Sequence, residues 1–149
     1  MNNKGTNFPK GVQIDADGRG GLGDERFLAG SRSEACTGSF TAAALPGVFW
    51  IAPAPCKVIS AMERHAVVAG QAGTIQVEKV PNGTAPGSGS AVLATAFDAT
   101  ATVNTIQTAA AGSAPAINLG KGEGLAIKVG SGALTSMTGC CVVVTVEYM

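Results

Sequence analysis

Charge is the scarcest resource in this chain. Charged residues make up 13% of its 149 positions, ten basic and ten acidic, so the formal net charge is zero. A balanced chain lacks the electrostatic footprint that nucleic acid or an anionic membrane surface requires, and neither is an expected partner. Aromatic residues are also few, at 5%, with one Trp and one Tyr. A single histidine, His65, removes the multi-histidine metal sites found on some β-sandwiches. No apolar run approaches the ~20 residues of a membrane-spanning helix. The opening MNNKGTNFPKG has no apolar core of a secretory signal, so the product is expected to stay in the cytoplasm where it is made. Four cysteines are present without CxxC spacing, and all are expected to be reduced packing residues. Cys140 and Cys141 are adjacent, which puts them on opposite faces of a strand.

What is present is unevenly spread. Residues 1–36 hold ten of the twenty charges, and the rest is mostly Ala, Val, Gly, Thr and Ser. So bland a surface on a small protein favours association, and much of it is expected to be covered by partners. Residues 1–36 show no sustained period and read as an extended N-terminal arm that orders against something else. Its apolar residues Phe8, Val12, Ile14, Phe27 and Leu28 are the candidate contacts through which it docks. Residues 37–149 read as one β domain, beginning near Gly38.

The stretch Thr74–Thr95 organises that domain. Ile75 and Val77 alternate with Thr74, Gln76 and Glu78, the period of a strand with one buried face. Pro81 ends the ladder, Asn82-Gly83 supplies a turn, and Ala91, Val92 and Leu93 return. Further strands are expected at Val48–Ile51, at Lys57–Val68 with Val58 and Met62 on one face and Ile59 and Ala61 on the other, at Thr102–Thr108, Ala116–Leu119, Leu125–Val129 and Cys140–Tyr148. About eight strands with Gly/Pro/Ser turns at roughly 8–12-residue spacing point to an all-β antiparallel sandwich of the jelly-roll kind. Phe49, Trp50, Phe97, Leu125 and Tyr148 are its expected large core residues.

Sites of chemistry are weak. Gly18-Arg19-Gly20-Gly21-Leu22-Gly23 matches a dinucleotide fingerprint but lacks the buried strand before it and the full helix after it. Asp15-Ala16-Asp17-Gly18 resembles the opening of a calcium loop, yet Arg26 stands where the bidentate Glu belongs. Gly120-Lys121 has Pro115 in place of the first P-loop glycine. Glu63 and His65 share a strand face and read as a surface hydrogen bond. Glu63, Glu78, Asp98, Glu123 and Glu147 are the carboxylates of the β region, most of them expected to face solvent. No catalytic, metal or cofactor site is expected, and no enzyme activity.

Ile75-Gln76-Val77-Glu78-Lys79, followed by Pro81-Asn82-Gly83-Thr84-Ala85-Pro86-Gly87-Ser88-Gly89, resembles a pattern of small structural proteins of tailed bacteriophages. Phe49 to Pro53, Cys56-Lys57-Val58-Ile59-Ser60-Ala61 and Val103-Asn104-Thr105-Ile106-Gln107 extend that resemblance over residues 47–148. It implies a head decoration or cement protein, a jelly roll bound outside an HK97-type capsid that locks neighbouring capsomers. The implied partners are the major capsid protein and further copies of the chain, as a homodimer or homotrimer. The competing reading is a receptor- or carbohydrate-binding jelly roll, a fibre tip or adhesin, using Trp50 or Tyr148 as a stacking ring.

Overall fold

The structure, a computed structural model, describes residues 33–149. Ten strands follow in order: Ser33–Phe40 (β1), Gly47–Ile51 (β2), Cys56–Arg64 (β3), Gly73–Val80 (β4), Ser90–Ala91 (β5), Phe97–Asp98 (β6), Gln107–Ala110 (β7), Asn118–Leu119 (β8), Gly124–Gly132 (β9) and Cys140–Tyr148 (β10). A short 3-10 turn at Ala42–Ala44 is the only helical element among the described residues. The strands form two five-stranded sheets. One has the order β1-β10-β3-β7, with β8 also on β3, and the other β2-β9-β4-β5, with β6 also on β4. Every pairing is antiparallel. The expected all-β antiparallel sandwich is therefore the observed fold, with three two-residue strands bringing the number to ten.

Early strands pair with late ones, β1 with β10 and β2 with β9. This nesting gives each sheet an inner face that meets the other across one core. Val142, Val144 and Val146 of β10 are fully buried and face Ile75 and Val77 of β4 and Leu125 and Ile127 of β9 within that core. Each such side chain stabilises the fold by about 1.5–3 kcal/mol relative to exposure. Phe97 and Leu125 are core residues as expected, whereas Phe49, Trp50 and Tyr148 are only partly buried and pack against its margin. Phe40 and Phe49 meet edge to face, ring centroids 5.8 Å apart, beside the adjacent ends of β1 and β2.

The departures from the sequence reading have local causes. Strand structure begins at Ser33, ahead of Gly38, because Glu34, Cys36 and Gly38 already alternate inward along β10. In β3, Val146 pairs with Val58 but Thr145 with Ser60, leaving Ile59 as an extra residue in a β-bulge. The bulge shifts the phase, so Val58 and Ala61 point inward while Ile59 and Met62 are exposed, not the division that strict alternation predicts. β3 also stops at Arg64 instead of continuing to Val68. Thr102–Ile106 is a loop, and only Gln107–Ala110 pairs as a strand. Asn104 sits at φ 58°, a left-handed conformation that Asn tolerates and that ends an extended run. The return through Ala91–Leu93 is a two-residue strand plus an isolated bridge from Leu93 to Ala111.

Candidate functional site

Two of the carboxylates read as solvent-facing are buried, and each organises a loop. Glu78 lies on the outer face of its sheet yet is 0% exposed. Residues 81–89 fold back over it as a strap. Gly87 and Gly89 donate their backbone N–H groups to its two oxygens, the latter at 2.8 Å. Lys128 completes the clamp, 3.2 Å from Glu78 Oε2 and donating to the Gly89 carbonyl at 2.9 Å. Gly87 adopts φ +94°, which needs glycine, and a Cβ there would stand 3.0 Å from the Pro46 ring. The strap thus crosses the outer face towards β2, and Ala126 beneath it is fully buried.

The second is Glu63. His65 Nδ1 lies 2.9 Å from Glu63 Oε1, the bond expected from their shared face. The pair is not on the surface, however: Glu63 is 1% and His65 0% exposed. The loops after β3 and before β7 close over it, which strand alternation does not reveal. His65 Nε2 meets the Ala101 carbonyl at 3.0 Å, and because a carbonyl only accepts, Nε2 carries a proton. Both ring nitrogens are thereby engaged with oxygen atoms, which leaves neither free for a metal. Gln107 donates through Nε2 to Glu63 Oε2 at 2.7 Å and to the Asp98 carbonyl at 2.9 Å, while its Oε1 accepts from Asp98 N–H at 2.9 Å. Cys140 Sγ adds a contact to Glu63 Oε1 at 3.4 Å. No buried side-chain N or O atom among the described residues lacks a partner, as buried polar networks require.

This network terminates in the loop between β6 and β7. Asn104 donates its N–H to the His65 carbonyl at 2.8 Å. Asp98 accepts from the Thr100 hydroxyl and N–H, and these bonds hold its carboxyl below the ordinary aspartate value. The loop presents Val103 and Ile106 to solvent, the latter 63% exposed.

Among the described residues, no strap crosses the outer face of the β1-β10-β3-β7 sheet. Cross-strand register places Ala35, Thr145, Ser60 and Ala110 in one row and Thr37, Val143, Met62 and Thr108 in the next. Both rows are free of charge. Lys57 and Glu147 pair at 2.8 Å at one end of the face, and Arg64 lies across from Cys141 at the other. The result is a flat, uncharged surface of small side chains around the exposed Ile59 and Met62.

All four cysteines are free. Burial, with a contribution from Glu34, pushes the Cys36 thiol up to about 12 and the Cys56 thiol to about 11. Burial and then Glu63 push Cys140 upward as well, so none of the three is a ready nucleophile. Tyr148 donates its hydroxyl to Glu34, which raises it to about 12. That bond and its packing at the core margin make it a poor stacking platform.

The candidate contact residues Phe8, Val12, Ile14, Phe27 and Leu28 lie outside the described residues. The surfaces found here, the bare sheet face and the Val103–Ile106 loop, were not singled out by sequence reasoning. The signal for the first was the scarcity of charge after residue 36, and the second was hidden by its resemblance to a strand.

No family model matches the chain, and no curated protein does. Among solved structures, a chain titled as the capsid asymmetric unit of cyanophage Pam1 is similar, with a TM-score of 0.46 and 17% identity. The similarity covers 81% of this chain and 88% of that one. At that level it carries no conclusion for this chain.

Proposed function

We propose that the protein is a structural virion component, a decoration or cement protein that binds the outside of an HK97-type phage head and bridges neighbouring capsomers. The carrying observation is the bare, uncharged outer face of the β1-β10-β3-β7 sheet. Four strands at ~4.8 Å spacing and about 20 Å of length give that face on the order of 400 Å². A stable standard interface takes roughly 800 Å² from each partner. The face is therefore too small to hold a pair of molecules together in solution by itself. It suits a partner that offers many equivalent sites, where a second contact makes attachment multivalent. A capsid lattice is such a partner.

The segment ahead of β1, residues 1–32, supplies the second contact in this reading, since residues 33–36 of the expected arm belong to β1. Phe8, Val12, Ile14, Phe27 and Leu28 anchor it on the major capsid protein or on a sister copy in a homodimer or homotrimer. The sequence resemblance over residues 47–148 and the nesting of early with late strands, as in a jelly roll, support the same assignment. The protein acts in the virion, on the capsid exterior, without catalysis, and is made in the host cytoplasm.

The test is co-sedimentation with heads that lack the protein, from the virus that encodes it. The expected result is saturable binding at a fixed copy number per capsomer, with the heads gaining heat resistance. Deleting residues 1–30 should lower occupancy while leaving the β domain folded. No binding by the intact chain, alongside binding to a glycan, would replace this reading with the adhesin one.

A further inference from the structure

We infer that the loop from Asp98 to Ile106 is a pre-shaped docking knob, held in place from inside by the buried Glu63–His65–Gln107 network, and that it seats Val103 and Ile106 in an uncharged apolar recess of the capsid shell. The inference rests on the decoration reading and adds to it which residues fix the orientation on the shell.

Burying an ionisable pair is unfavourable unless every polar atom is satisfied, and the bonds that satisfy this pair lead outward. His65 Nε2 holds the Ala101 carbonyl, the His65 carbonyl holds the Asn104 N–H, and the Gln107 amide holds both the N–H and the carbonyl of Asp98. Turn bonds from Ala101 N–H to Asp98 O and from Thr105 N–H to Thr102 O close the loop upon itself, and Ala69 N–H ties Ala99 to the neighbouring segment. A connection between two strands needs none of this. Its effect is to fix the backbone that carries two exposed aliphatic side chains.

Such fixation matters for binding, because a loop already in its bound shape loses little freedom on docking. The chemistry of the recess follows from what the knob presents. Residues 99–106 carry no charge, and the exposed Asp98 carboxylate, which takes both Thr100 bonds on Oδ1, stands at the β6 end of the loop and not beside Ile106 in sequence. The surface that meets Val103 and Ile106 is therefore apolar and uncharged. The knob is also continuous with the bare face. Gln107 pairs with Glu63 and Thr108 with Met62, so Ile106 is the next residue beyond that register.

The experiment compares Ile106→Asp with Ile51→Asp in binding to heads lacking the protein. Ile51 is a matched control, 62% exposed against 63%, on edge strand β2 of the other sheet. The expected result is an affinity loss of about tenfold or more for Ile106→Asp, of the size seen at interface hot spots, and little change for Ile51→Asp. Amide exchange of the unmodified protein should show the Asn104 N–H protected, and His65→Gln should release it and weaken binding while the β10 amides stay protected. Equal losses for the two aspartate variants, a change in self-association instead of head binding, or a freely exchanging Asn104 would overturn the inference and leave the decoration reading standing. Failure of the unmodified protein to bind would overturn both.

Discussion

The two sheets of this sandwich share one core but treat their outer faces in opposite ways. One is roofed by the chain itself: residues 81–89 lie across it, pinned by the buried Glu78 carboxylate and Lys128. Among the described residues the other is left open, with Ala35, Thr37, Ser60, Met62, Val143 and Thr145 in uncharged rows. The roofed face shows what this fold does when it must finish a surface alone. It uses a glycine-rich strap and a carboxylate that satisfies the strap's backbone donors. The open face has neither, although it is built from the same small residues. Among the described residues, the difference singles out the open face as the one the β domain does not finish itself.

The sharpest way to break the contrast is to remove the pin. Glu78→Ala leaves the Gly87 and Gly89 N–H groups without their acceptor and the Lys128 ammonium without its counter-charge, holding only the Gly89 carbonyl. Breaking such a buried pair costs about 3–5 kcal/mol, and the partial exposure of Lys128 puts this case near the lower figure. Thermal melting should fall by ~10 °C or more. Amide exchange should show the strap released and the Ala126 strand exposed while β10 stays protected. A melting point within a degree or two of the unmodified protein would mean that the strap is held by packing alone.

The other buried carboxylate sharpens the comparison, because it belongs to the open-faced sheet but lies on its inner face, beside Val142 and under a loop. Glu63→Gln keeps the shape, and its amide nitrogen can donate to His65 Nδ1, which accepts when Nε2 carries the proton, while its oxygen keeps the bond from Gln107. What is lost is the stronger acceptance of a carboxylate, for about 1 kcal/mol. The loss should be smaller than for Glu78→Ala and confined to exchange in residues 98–106. Equal destabilisation of both sheets would show the network to be part of the core.

Much of this architecture was legible in the sequence. Strong alternation fixed β4 and β10, where Ile75, Val77 and Val142 to Val146 behave as their period requires. Pro81 ended β4 and Pro53 followed β2 as their missing N–H groups dictate. The failures fall where a residue's surroundings come from far along the chain. Ala61 and Met62 swapped faces relative to Val58 because of a bulge set by the pairing with β10, and nothing in Lys57–Arg64 announces it. Glu63 and Glu78 looked solvated because a strand pattern does not say which loop will fold over which face. The His65–Glu63 bond was legible from spacing, but its burial depends on Ala101 and Gln107, roughly forty positions away. Trp50 and Tyr148 reached only the margin of the core because β2 is an edge strand and β10 ends there.

The smallest effect comes from chemistry that leaves the fold intact. Cys140 and Cys141 are neighbours on opposite faces, the first buried beside Glu63 and the second half-buried in the row of Ser39 and Arg64 on the open face. Cys36 and Cys56 are buried with their thiols pushed up to about 12 and about 11. A thiol reagent near pH 8 should therefore modify one cysteine rapidly, Cys141, and the other three only after unfolding, with a melting point nearly unchanged by the single label. A small reagent tests access to the open face, and a bulky one tests its role. If the face is covered on the capsid, labelling of Cys141 should slow on bound protein, and prior attachment of a bulky group should lower occupancy. Rapid labelling of Cys141 on fully occupied heads would show that its end of the face is open in the virion, and the contact would then have to lie elsewhere.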